Sequence, residues 1–197
     1  MGIPPGCDRA AESSKESRRI LGIDPGTVAT GWGVVEMAAG SLVHVAHGTI
    51  GSPASHDQAN RLSRIYRGLQ EALGRYRPQG ISLEKVFFAR NPQSALKLGQ
   101  ARGVALLAAA ESRVEVREYS SAEIKQAVAG YGQATKEQVQ KMVGSLLRLS
   151  GKVPADAADA LAAAICDLHQ SSFHSRVMAA IPDAGREPRR WKNDCQD

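Results

Sequence analysis

Residues 21–35 read LGIDPGTVATGWGVV, and this stretch decides the fold class. An apolar run ends at Asp24, a Pro-Gly turn follows, and a second run begins near Gly31. A third run of similar character lies at residues 42–49. Short apolar or alternating runs separated by glycine-containing turns are typical of consecutive antiparallel strands. The sequence therefore predicts a β-meander with Asp24 at the end of its first strand.

Helical and strand patterns alternate after this meander. Three leading strands followed by such an alternation predict an α/β protein, with helices on the faces of a mixed five-stranded sheet. The predicted elements are a helix opened by a Ser55/Gln58 capping box, a strand at 81–88, a helix from Pro92 to about Ala110, a strand at 114–119, a short helix from Ser120, a helix from Thr135 to a stop at Gly151, and a helix from Pro154 to about His169.

The two ends of the chain differ in composition from its middle. Residues 1–18 and 173–197 are rich in Pro, Gly, Ser and charged residues and show no periodicity. Such segments cannot bury enough apolar surface to fold. We therefore expect a flexible N-terminal extension, one folded domain at residues 19–172 and a flexible polar C-terminal tail. A chain of 197 residues is long enough for one domain with its own core.

Composition excludes several classes of protein. No apolar run approaches the roughly 20 residues that span a bilayer, and the first residues lack the apolar segment of a secretory signal, so we expect a cytoplasmic protein. The three cysteines are an odd number at no metal-ligand spacing, which argues against a disulfide scaffold and a zinc site. The net charge of +5 is a weak indication of a polyanionic partner.

Four acidic residues stand where a carboxylate needs an explanation. Glu84 interrupts an apolar strand, where an unpaired charge is costly, although a solvated edge strand is the alternative. Asp156 and Asp159 lie on one side of the first turn of the last helix, about 5–6 Å apart at Cβ. The helix macrodipole alone would favour acidic residues there. For Asp24, the alternative is a turn-forming residue before Pro-Gly.

These carboxylates are expected to converge. Small alanine side chains around Asp156 and Asp159 would let the last helix approach the sheet closely, bringing both residues toward Asp24 and Glu84. A site with only carboxylate oxygens suits Mg²⁺ or Mn²⁺ and not zinc. Two such ions about 3.5–4 Å apart can promote phosphodiester hydrolysis. The residues thus predict a metal-dependent phosphodiesterase.

Four blocks of the sequence resemble the RuvC family of Holliday junction resolvases, over about residues 19–170. They are LGIDPGTVATGWGVV (21–35), SLEKVFFARNPQSALKLGQARG (82–103), EIKQAVAGYGQATKEQVQKMV (123–143) and PADAADALAAAI (154–165). The resemblance implies an RNase H-like nuclease domain at 19–172. It also implies a homodimer that nicks two opposed strands of four-way junction DNA symmetrically, in homologous recombination and DNA repair. The products would carry 5′-phosphate and 3′-hydroxyl ends, one or two Mg²⁺ per subunit would be the cofactor, with Mn²⁺ as a substitute, and RuvA and RuvB would be partners.

The resemblance also assigns roles to individual residues. The family's catalytic, metal-binding carboxylates fall on Asp24, Glu84, Asp156 and Asp159, and some members carry His at the last position. Lys125 and Lys136 match lysines implicated in DNA handling, and Phe87 matches an aromatic residue that could stack on an unpaired base. By their charge and position alone, Arg90, Lys97 and Arg102 are further candidates for phosphate contacts, with a solvated helix face as the alternative.

Three other functions fit part of the pattern. A junction-binding module that does not cleave would lack one of the four carboxylates, yet all four are present. An actin-like or sugar-kinase-like ATPase also uses Asp-x-Gly-Thr, but such a protein needs two such domains and a second phosphate loop. This chain is too short for two such domains and lacks the second loop. A related nuclease that acts on RNA or on another branched DNA shares the same metal chemistry. The catalytic residues alone leave that last alternative open.

Overall fold

The computed structural model describes residues 17–53, 55–85 and 92–180, with side chains as far as Ser172. The strands are β1 (Arg18–Asp24), β2 (Ala29–Ala38), β3 (Ser41–Gly51), β4 (Gly80–Glu84) and β5 (Glu115–Tyr119). The helices are α1 (Gln58–Tyr76), α2 (Pro92–Glu111), α3 (Ser121–Ala129), α4 (Lys136–Leu146) and α5 (Ala155–Ala180). Across these ranges, no helix combines the length and apolar character that crossing a membrane requires.

The strands form one mixed sheet in the order β3-β2-β1-β4-β5. β1, β2 and β3 pair antiparallel, which confirms the predicted meander. β4 pairs in parallel with the free side of β1, and β5 pairs in parallel with β4. The expected α/β architecture with a mixed five-stranded sheet is confirmed. β4 is an interior strand, so the solvated edge position considered for Glu84 is wrong.

The two-residue period of the strands divides the core between the two faces of the sheet. Ile20 and Val35 pack with α3, α4 and α5 on one face. Leu21 and Val34 pack with α1 and α2 on the other. The same alternation places Asp24 on the face of Ile20, which is the face that α5 covers.

Two glycines let the backbone of α5 lie directly on the sheet. A Cβ at Gly22 of β1 would stand 1.8 Å from the carbonyl oxygen of Ala160, and one at Gly31 of β2 would stand 2.0 Å from that of Asp156. A side chain at either position would push the helix outward. The buried alanines of α5 confirm the predicted close approach, and the glycines opposite them make it possible.

Two helix boundaries differ from the prediction because of local capping. α1 is capped by Asp57 and not by Ser55, since the Asp57 carboxylate accepts a hydrogen bond from the backbone N–H of Asn60. α4 ends at Leu146, short of the stop predicted at Gly151. Arg148 adopts the left-handed conformation there, with φ of 50°. The helix end predicted at Gly151 was wrong because the left-handed turn after the helix is formed by Arg148 and not by a glycine.

Two further boundaries differ in length. α5 continues to Ala180, beyond the end predicted near His169, because no glycine or proline precedes Pro182. Residues 173–180 are therefore helical, although they belong to the segment predicted as a tail. β4 ends at Glu84, and the remainder of the strand predicted at 81–88 lies almost wholly outside the described residues.

A fully buried carboxylate, Asp167, lies on α5. It is remote from the strand ends that carry Asp24 and Glu84. The Asp167 side chain is 0% exposed, and each of Arg18 and Arg117 places a guanidinium nitrogen 3.7 Å from its Oδ1. The Tyr119 hydroxyl donates to Oδ2 at 3.1 Å. Burial raises the pKa of Asp167, and the two arginines and the tyrosine offset only part of that effect.

This raised pKa predicts a stability that depends on pH. The native state holds the Asp167 proton more tightly than the unfolded chain does, so stability falls as pH rises from about 4 through the folded pKa. Asp167→Asn removes this titration while keeping an oxygen acceptor for Tyr119. We expect the stability of the wild type relative to this variant to increase as pH falls through the folded pKa of Asp167 toward about 4. Urea unfolding at several pH values tests this, with exposed Glu71→Gln as a control expected to show no such trend.

Candidate active site

Asp24 and Glu84 lie side by side at the ends of two parallel strands. The paired register of β1 and β4 closes with Ile23 opposite Leu83, and the two acidic residues follow directly. Ile81 and Leu83 belong to the core on the α1 and α2 face, so the alternation of β4 turns Glu84 toward α5 together with Asp24. Both carboxylates are half-buried.

The first turn of α5 crosses these strand ends. Asp24 pairs with Gly31 across β1 and β2, and the carbonyl of Asp156 rests on that same glycine. One turn later, Ala160 rests on Gly22 of β1, and the adjacent Asp159 is close enough for its charge to act on Asp24. The predicted convergence of carboxylates from two strands and one helix is therefore what the packing produces.

The raised pKa of Asp24 reflects this convergence of carboxylates. Burial raises the pKa of Asp24 to about 7, and the charges of Asp159, Asp156 and Glu84 add to the effect in that order. Within the described part of the chain, Lys136 is the one charge that lowers the pKa of Asp24, and it does not compensate. A carboxylate held among like charges in this way marks a place where a cation would be stabilised.

Lys136 lies at the start of α4 and reaches into this acidic group. Its Nζ stands 2.5 Å from Oδ2 of Asp159. The contact with Asp159 raises the pKa of Lys136, and the charges of Asp24 and Asp156 reinforce it. Thr135 and Gln138 form a reciprocal capping box that fixes the helix start. The predicted family lysine therefore contacts one of the four carboxylates.

The donor set fits a hard divalent cation in charge and chemistry, since four carboxylates meet with no imidazole or thiolate among them. As the side chains stand, however, the described residues contain no group of three acidic, histidine or cysteine side chains that could hold a metal ion. Asp159 is held by Lys136 in this arrangement. The backbone thus brings the four candidate ligands to one end of the sheet, where Lys136 contacts one of them, Asp159.

A family model matches residues 20–167 of the chain, and its description is crossover junction endodeoxyribonuclease RuvC. The chain belongs to the RuvC family. A curated RuvC from Geobacter metallireducens is 52% identical over 155 residues, covering 79% of this chain and 94% of that protein. The RuvC of Pelobacter propionicus is 45% identical over 175 residues, covering 89% of this chain and 98% of its own length.

Solved structures agree with this membership. RuvC of T. thermophilus in complex with a Holliday junction substrate superposes with a TM-score of 0.75 at 34% identity, covering 80% of this chain and 97% of that one. The yeast mitochondrial Holliday junction resolvase Ydc2 superposes with a TM-score of 0.60 at 15% identity, which shows the shared fold alone. The four carboxylates and Lys136 all fall within the span that the RuvC model matches.

The other predicted DNA contacts of this RuvC member are spread over both faces of the sheet. Lys125 is half-buried on α3, on the α5 face, and is not among the charges that shift the pKa of Asp24. Lys97 is exposed on α2, on the opposite face. Phe87 and Arg90 lie outside the described residues. Of Lys97, Lys125 and Lys136, all within the described residues, Lys136 is the one that lies among the carboxylates.

Arg102 of α2 has a positioning contact that sequence reasoning did not suggest. Its Nη1 donates to the backbone carbonyl of Glu84 at 2.9 Å, and its Nη2 pairs with the carboxylate of Glu118 on β5. The guanidinium thereby ties α2 and β5 to the strand end that carries Glu84. No motif signals such a contact, because it joins residues that only the tertiary fold brings together. The phosphate contact predicted for Arg102 stays a prediction.

Proposed function

We propose that this protein is a Holliday junction resolvase, an endonuclease that nicks two opposed strands of four-way junction DNA in homologous recombination and repair. The observation that carries the proposal is the convergence of Asp24, Glu84, Asp156 and Asp159 at one end of the sheet, within a chain of the RuvC family. Hydrolysis would leave 5′-phosphate and 3′-hydroxyl ends.

The four carboxylates would hold one or two Mg²⁺ ions, for which Mn²⁺ could substitute. When bound, the cation supplies the positive charge that lowers the pKa of the attacking water and offsets charge on the scissile phosphate. Asp24 and Glu84 orient the site from the rigid strand ends, and Asp156 and Asp159 close it from α5. Arg102 keeps the Glu84 backbone in place.

DNA binding would extend beyond this centre. Lys136 and Lys125 lie on the α5 face, and Lys97 and Arg90 would add phosphate contacts, with Phe87 stacking on an unpaired base near the junction centre. A basic chain with a net charge of +5 suits such a polyanion. Because phosphate contacts release counterions, junction binding should weaken steeply as salt increases. The protein would act in the cytoplasm with RuvA and RuvB.

Two subunits would act together, and α2 offers a surface for their contact. An apolar stripe of exposed residues runs along this helix at the three- and four-residue spacing of one helix face. Its members are Leu96, Gly99, Gly103, Leu106 and Ala110. A Cβ added at Gly99 or Gly103 meets nothing within 4 Å, so this face is open to a closely approaching partner helix. A two-fold dimer would present two active centres to two strands of like polarity.

Cleavage of a synthetic four-way junction tests the proposal directly. We expect divalent-cation-dependent paired nicks at symmetric positions in the junction, and little cleavage of a linear duplex of the same sequence. An RNA–DNA hybrid is the third substrate, because a related nuclease acting on RNA would share the metal chemistry. Preferential cleavage of the hybrid, or equal cleavage of the linear duplex, would contradict junction resolution.

A further inference from the structure

Lys136 carries a positive charge at the start of a helix, where such a charge is not expected. Lys136 is the first residue of α4, where the helix dipole disfavours a positive charge. Its side chain nevertheless reaches Asp159 on α5, with 2.5 Å between Nζ and Oδ2. The helix start gives no reason for a lysine there. The carboxylates of the candidate site do, because the charges of Asp24 and Asp156 also favour its protonated form.

The two partners differ in their freedom to move. The Lys136 side chain is 55% exposed, whereas that of Asp159 is 23% exposed. The Thr135/Gln138 capping box holds the backbone of the lysine. A long side chain on a fixed backbone can leave the pair by rotating into solvent, with no repacking of the core. Asp159 is carried by the helix turn that rests on the sheet glycines, so its backbone stays in place.

We propose that Lys136 is the internal counter-cation of the metal-free active site, which it leaves when a divalent cation binds. The proposal rests on the proposed function, since it takes the four carboxylates as metal ligands. Metal and ammonium group compete for Asp159, and the displaced ammonium becomes available to a DNA phosphate next to the carboxylates.

Direct measurement of Mn²⁺ binding in the absence of DNA tests this competition. Mn²⁺ is counted by its electron paramagnetic resonance signal, so the readout does not depend on cleavage. Lys136→Gln removes the competitor, and we expect Mn²⁺ to bind about two- to fivefold more tightly, as suits the loss of a partly exposed ion pair. The control is Lys141→Gln, which removes the same charge from an exposed position on the same helix. The control should change the affinity much less.

A double-mutant cycle separates a specific pair from the general loss of positive charge. In an Asp159→Asn background, Lys136→Gln should have no larger effect on Mn²⁺ affinity than Lys141→Gln. An equal gain with and without the Asp159 carboxylate would overturn the proposal, because it would make Lys136 a distant charge only. Weaker or unchanged Mn²⁺ binding in the single Lys136 variant would overturn it as well.

One further variant separates this inference from the proposed function. Asp24→Asn should weaken Mn²⁺ binding whether or not Lys136 competes. If Asp24→Asn binds Mn²⁺ as the wild type does, the metal site itself is misplaced, and both proposals fail. If it weakens binding while Lys136→Gln gives no gain, only the role of Lys136 fails. Thermal unfolding of each variant shows whether the measured affinities refer to folded protein. Lys136→Met serves as a second replacement of the lysine.

Discussion

Replacing Asp24 by asparagine is expected to abolish cleavage of a four-way junction while leaving junction binding close to that of the wild type. Asp24 stands at the end of β1, where Asp159, Asp156 and Glu84 act on it together. Asparagine keeps the size of the side chain and removes the charge that a cation needs. We expect the cleavage rate to fall by about 10³-fold, a loss of roughly 4 kcal/mol of transition-state stabilisation.

The same variant is expected to be more stable than the wild type without divalent cations. Burial and three neighbouring carboxylates oppose the ionised form of Asp24, and its pKa is raised to about 7 for that reason. A neutral asparagine avoids this repulsion, so the unfolding midpoint should rise by about 2 °C. Active sites commonly hold such destabilising arrangements, and their removal trades activity for stability.

Three measurements together make this prediction specific. They are cleavage with Mg²⁺, junction binding without divalent cations, and thermal unfolding. Glu71→Gln on the exposed surface of α1 is a matched loss of one negative charge, and it should leave all three unchanged. Full cleavage by the Asp24 variant would overturn the assignment of the site. Lost binding together with a lower midpoint would instead show that Asp24 supports the fold.

Much of the candidate site could be predicted from the strand and helix periodicity of the sequence. Asp24 and Glu84 each end a strand that reads as a short apolar run, and a two-residue period fixes which face each carboxylate takes. Asp156 and Asp159 share one side of a helix turn at a spacing of three residues. These local rules hold in the structure because the strands and α5 are regular where they carry the acidic residues.

The contacts that complete the site depend on the tertiary fold. Gly22 and Gly31 stand under α5, and no local pattern says that a helix backbone rests on them. Arg102 reaches Glu84 from the opposite face of the sheet. Asp167 meets two arginines from β1 and β5, far away in sequence. A residue that pairs across elements carries no local signal of its partner.

Irregular strand pairing is a second reason why the sequence alone does not predict every side-chain position. The pairing of β3 shifts between Val34 and Val35, so that Val35 lies opposite His44 while Val34 lies opposite Ala46. This bulge brings His44 and His47, three residues apart, to 2.8 Å between ring nitrogens. In a regular strand, residues three apart would point to opposite faces. A single inserted residue thus reverses the face that the alternation predicts.

Replacing Gly103 by glutamine is expected to prevent the homodimer that we propose and to leave a monomer. Gly103 lies at the middle of the apolar stripe of α2, and an added Cβ meets nothing within 4 Å in the single chain. The subunit should therefore tolerate the substitution and gain up to about 1 kcal/mol, because glutamine favours helix more than glycine does. A partner helix, however, could no longer approach at this point. Sedimentation analysis across protein concentrations measures the change, and paired nicking of a junction should be lost with the dimer.

Gly74 of α1 provides the matched control. It is an exposed helical glycine, and a Cβ there also meets nothing within 4 Å, but it lies outside the α2 stripe. Gly74→Gln should bring a similar gain in helix stability and leave the oligomeric state unchanged. If both variants stay dimeric, the two-fold contact lies elsewhere on the surface. If Gly103→Gln is monomeric and still makes paired nicks, the symmetry of cleavage does not come from a dimer joined through α2, because two active centres would not be held together by that face.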